Sequence, residues 1–66
     1  MQDKIRHALK LKYEGDLASA EINIRVYLSN SVGIGEHPDI VGAIDEQIEK
    51  AANAQEKLDY ILNLKY

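Results

Sequence analysis

Two apolar runs, each stepping by three and four residues, flank a single glycine-containing break, and this pattern constrains the fold more than any other feature of the chain. Ile5, Leu9, Tyr13, Leu17, Ala20, Ile24 and Tyr27 form the first run. Their spacing averages close to the roughly 3.6-residue period of an α-helix. Val41, Ile44, Ile48, Ala51, Gln55, Leu58 and Leu62 form the second, a heptad alternation with one polar member, Gln55. The pattern predicts an all-α fold: one long helix over about 2–30, a turn over 31–37 and a second long helix over 38–64. Helices joined so closely lie antiparallel, so residues 1–66 read as one helical-hairpin domain.

The break has its own chemistry. Ser29, Asn30 and Ser31, then Gly33 and Gly35 around Ile34, are residues that leave helices readily, and glycine tolerates positive φ. Pro38 suits a first helical position because its φ is fixed and it has no N–H to leave unpaired. Asp39 would then sit just inside, at the positive end of the helix dipole, and His37 would be the N-cap.

An antiparallel hairpin turning at Ile34 makes definite pairs. Tyr27 is expected to face Val41, Ile24 to face Ile44, Ala20 to face Ile48, Leu17 to face Ala51 and Tyr13 to face Gln55. Large residues meet small ones at two successive layers, as interdigitation requires, and Gln55 would bond the Tyr13 hydroxyl. Beyond Tyr13 the same register sets Lys10 against Leu58 and Arg6 against Leu62, so the open end is expected to rotate or splay. Lys4, Lys10 and Lys12 come towards Glu56 and Asp59 there, for ion pairs worth at most about 1 kcal/mol each.

Gly15 and Asp16 support a rival organisation in which the first helix ends and a new one is capped. ALKLKYEGDLASAEINIRVYL resembles one tetratricopeptide unit, which would make the chain a single-repeat helical adaptor. Against this, the apolar phase passes through Gly15 undisturbed and no second copy follows. One continuous helix is therefore expected, at the roughly 1 kcal/mol that an interior glycine costs against alanine.

A chain of 66 residues buries a modest fraction of its surface and needs reinforcement. It has no cysteine and only His7 and His37 as histidines, which excludes disulfides and thiolate metal sites. Oligomerisation is the remaining route, and a second stripe on helix one supports it: Leu11, Gly15, Ala18, Ile22 and Val26 have no partner within the hairpin. Ile40, Ala43, Ala54 and Ile61 widen the apolar arc of helix two. Two hairpins packed through these flanks would form a four-helix bundle. A homo-oligomer, dimer or higher, is expected, with an unknown protein partner as the alternative occupant.

No apolar run approaches the roughly 20 residues that span a bilayer, and the start of the chain alternates charge with apolar residues. A cytoplasmic protein without membrane contact is expected. The formal net charge of -3 is a poor footprint for nucleic acid, although Lys4, Arg6, Lys10 and Lys12 crowd the first helix. Glu36, His37 and Asp39 could in principle ligate a metal or small ligand, but neighbours in sequence rarely converge on one ion. No nucleophile stands beside a base and no phosphate loop follows a strand, so neither catalysis nor a cofactor is expected.

The stretch VYLSNSVGIGEHPDIVGAIDEQIEKAANAQEKL resembles a segment of small proteins encoded by tailed phages of marine cyanobacteria and found in marine metagenomes. Gly33, Ile34, Gly35, Glu36, His37 and Pro38 carry the resemblance most closely, and Ser31 departs from it where that family has proline. That family has no assigned activity. The resemblance implies a viral accessory or structural context, in a host cytoplasm, and supplies no catalytic residues.

Overall fold

The computed structural model describes residues 2–29 and 39–65. Two helices, α1 (Gln2–Ser29) and α2 (Ile40–Asn63), pack against each other as an antiparallel hairpin 47 Å long and about 15 Å across. The all-α two-helix hairpin is the fold read from the apolar periodicity. The turn residues Ser31, Gly33, Ile34, Gly35, Glu36, His37 and Pro38 lie outside the described residues.

Helix α1 runs unbroken through Gly15 and Asp16, so the break required by a tetratricopeptide arrangement does not occur. Across that point Lys12 Nζ lies 3.0 Å from Asp16 Oδ2, an exposed pair one turn apart. It replaces the expected pairing of Lys12 with helix-two acids. At its C-terminal end the Ser29 hydroxyl donates back to the Arg25 carbonyl, one turn earlier, at 2.7 Å.

Helix α2 begins later than the sequence suggests. Asp39, not His37, is its N-cap: Oδ1 accepts from the Gly42 N–H at 2.8 Å, and the Asp39 carbonyl accepts the first helical bond from Ala43 N–H. A short carboxylate at this position both satisfies an orphan donor and meets the positive helix end. Gly42 makes room for it, since a Cβ there would fall inside the Asp39 carboxylate, 2.8 Å from its Cγ.

The interface is built on small residues. Among the described residues the buried ones are Ala20, Ala54 and Gln47. Around them Leu9, Tyr13, Leu17, Ile24 and Tyr27 of α1, and Ile40, Ala43, Ile44, Ala51, Leu58 and Ile61 of α2, are half-buried. On α1 this is the expected stripe, apart from Ile5, which is exposed. On α2 it is not. The seam runs Ile40, Ile44, Gln47, Ala51, Ala54, Leu58, Ile61, also a heptad alternation, and shares Ile44, Ala51 and Leu58 with the expected one.

The expected core residues Val41, Ile48 and Leu62 are instead 79%, 50% and 48% exposed, and Gln55 is exposed as well. Helix two is thus rolled by roughly 60° from the expected orientation, at 100° per residue. A shift in register accompanies the roll. Asn23 Nδ2 donates to Gln47 Oε1 at 3.1 Å, Lys57 Nζ lies 5.8 Å from the centre of the Tyr13 ring, and an Arg6 Nη donates to the Leu64 carbonyl. Each partner on α2 is two residues beyond the one expected: Gln47 for Asp45, Lys57 for Gln55, Leu64 for Leu62.

The physical reason is size. The difference lies at the middle of the seam, where Gln47 and Ala54 stand in place of Ile48 and Gln55 and small residues favour close packing; at its ends Ile40 and Ile61 are no smaller than Val41 and Leu62. The buried Gln47 amide is tolerated because Asn23 reaches it; unsatisfied, it would cost about 1–3 kcal/mol. With the register moved, Gln55 no longer faces Tyr13, and it donates to Asp59 Oδ1 along its own helix at 3.0 Å. The open end does not splay, because Arg6 ties α1 to the last carbonyls of α2, where a cation also suits the negative helix end.

Candidate functional site

Rolling α2 divides the hairpin surface into unlike faces. One side of the seam carries a polar groove of about 350 Å³, where Asp16, Ser19 and Asn23 of α1 face Lys50, Asn53 and Lys57 of α2, with Ala20, Gln47 and Ala54 at its floor. Its groups are largely committed: Asp16 to Lys12, Asn23 to Gln47, and Lys57 over Tyr13. Ser19 has no histidine among its groove neighbours to act as a base.

The stripe expected to mediate association is where the sequence places it. Leu11, Ile22 and Val26 are 55%, 60% and 48% exposed, and Gly15 and Ala18 between them are exposed too. At 100° per residue this stripe is centred about 180° from the Leu9–Tyr27 seam stripe, so it faces directly away from α2. Polar residues border it on both sides, Glu14, Glu21 and Arg25 on one and Lys12 and Ser19 on the other. An apolar strip with polar margins is the form an association surface takes.

Helix two contributes a second strip, but not the one expected. Ile40, Ala43, Ala54 and Ile61, read from the sequence as its outward flank, belong to the seam. Val41, Ile48 and Leu62, read as core, form the exposed flank instead, on the side of the seam opposite the groove lysines. The two sets have exchanged roles.

No protein-family model, curated protein or solved structure matches the chain.

The other candidates are reduced by what their atoms already do. Asp39 of the proposed Glu36, His37 and Asp39 group spends Oδ1 on the helix cap, while Glu36 and His37 lie outside the described residues. Among the described residues no three histidines or carboxylates come together as metal ligands. No described helix is long and apolar enough to cross a membrane. The basic residues Lys4, Arg6, Lys10 and Lys12 do not gather into one phosphate-facing row: Arg6 holds the Leu64 carbonyl and Lys12 holds Asp16.

Proposed function

We propose that this chain is a noncatalytic interaction module that works by self-association through the outward stripe of α1. The observation that carries the reading is the surface left over by the hairpin. A folded monomer of 7.4 kDa should expose about 4,200 Å², by the usual scaling of surface with mass. The hairpin exposes 5188 Å². The excess, about 1,000 Å², is comparable to the roughly 800 Å² that each partner contributes to a standard protein interface. The exposed large apolar residues include Leu11, Ile22 and Val26 on α1 and Val41, Ile48 and Leu62 on α2.

The radius of gyration supports the same reading. At 15.0 Å it exceeds the roughly 11 Å of a compact domain of this length, so the seam alone does not close a globule. A second copy laid along the stripe would thicken the structure and put four helices side by side. In the phage context suggested by the sequence resemblance, such a protein would act as an accessory assembly element rather than as an enzyme.

Sedimentation velocity over a range of concentrations tests the proposal. Wild-type mass should rise with concentration to at least twice 7.4 kDa, and Ile22→Glu combined with Val26→Glu should abolish the rise while helical circular dichroism is retained. A well-folded wild-type monomer throughout the range would refute it.

A further inference from the structure

We infer that the self-association just proposed, on which this step rests, is heterologous: the exposed flank of α2 in one copy docks on the outward stripe of α1 in the next. Four helices at the corners of a square need each helix to make its two contacts about a quarter-turn apart. Helix two meets that requirement, because Val41, Ile48 and Leu62 adjoin its seam. Helix one does not, since its two stripes are diametrically opposed at 100° per residue. A square two-fold bundle would cover the α2 flank and leave the α1 stripe in water.

Charge and size then choose between like-with-like and unlike contacts. Asp45 and Asp59 follow the seam residues Ile44 and Leu58 on the outer margin of the α2 flank. Antiparallel pairing of that flank with itself brings these acidic margins together. Antiparallel pairing of the α1 stripe with itself brings Glu14 and Glu21 together too, on a border that Arg25 also lines, so that its repulsion is the weaker of the two. Neither repulsion arises when flank meets stripe. An antiparallel alignment setting the flank residue Leu62 against Leu11 also brings Ile48 between Ile22 and Val26, and it brings Asp59 beside Lys12.

A Cβ at Gly15 would have nothing within 4 Å, so the hairpin leaves open space there for an incoming side chain. Among the described residues Lys12 is held by the exposed Asp16 pair, a weak, solvent-screened contact, and can exchange partners at little cost. Because the two surfaces differ, the contact need not close at two copies: it yields a ring if the rotation closes and an open stack if it does not.

A mixing experiment decides it. Leu11→Glu with Ile22→Glu disables the stripe, and Ile48→Glu with Leu62→Glu disables the flank; all four positions are exposed in the hairpin. Each variant alone should be monomeric at concentrations where wild type associates, and an equimolar mixture should form a dimer and stop there. Self-association of either variant alone, or a mixture that stays monomeric while wild type associates, overturns the heterologous contact and leaves self-association standing. A monomeric wild type removes both. Should a glutamate variant lose its helical signal, glutamine at the same positions gives the same test.

Discussion

Gly15→Ala offers the most direct reading of whether α1 is one helix. Gly15 lies 13 residues from Gln2 and 14 from Ser29, so fraying from either end cannot relieve it of its interior cost. Alanine at an interior helix position is favoured over glycine by about 0.8–1.0 kcal/mol, through the backbone entropy that glycine loses on folding. No packing term offsets this, because the added Cβ meets nothing within 4 Å. The hairpin should gain about 1 kcal/mol, which for a domain of this size raises the melting temperature by about 4–8 °C.

Thermal melts by circular dichroism should be run at several concentrations, because association makes the melting temperature concentration-dependent. The gain should appear in full at the dilute end. Where the protein associates it should shrink, since the methyl group adds bulk to the stripe on which another copy would dock. Destabilisation at the dilute end would refute the reasoning: it would mean that the chain leaves the helix at Gly15, where alanine cannot follow.

Asp39→Ala should destabilise the hairpin by about 0.5–2 kcal/mol through loss of the cap on Gly42, measured by urea denaturation. Gly42→Ala should give no net gain, unlike Gly15→Ala, because its Cβ displaces that same carboxylate. A double-mutant cycle on Asn23→Ala and Gln47→Ala should return a coupling of about 0.5–1.5 kcal/mol; a coupling near zero would place the two amides apart. Ala54→Leu should cost about 1–3 kcal/mol by overfilling the seam, whereas Gln55→Leu should leave hairpin stability nearly unchanged. The reverse ranking would restore the register in which Gln55 faces Tyr13.

That last comparison bears on what was legible in the chain. Helix one could be read closely because it has one dominant interior stripe and a clearly separated outward one, and charged residues between them leave little choice of face. Helix two is different. Its positions 41, 48, 55 and 62 and its positions 40, 47, 54 and 61 are both heptad series, one residue apart, and both are completed by Ile44, Ala51 and Leu58. Periodicity cannot separate them, because both have the same period. Side-chain size favours the first series, with Val41, Ile48 and Leu62; close approach favours the second, with Ala54 and a glutamine that Asn23 can satisfy.

A helix that carries two such series has one apolar arc wide enough for two neighbours, and a hairpin supplies only one. The series with Ala54 at its middle goes to the helix covalently tethered beside it, where close approach is easiest to hold. The other series is left facing outward, and Val41, Ile48 and Leu62 in it offer apolar area to a partner that must be recruited from solution against the entropy of association. The outward placement of Val41, Ile48 and Leu62 and the proposed mode of assembly have one source. Val41, Ile48 and Leu62 look like core residues because in an assembled state they would be core, of an interface that a single chain does not contain.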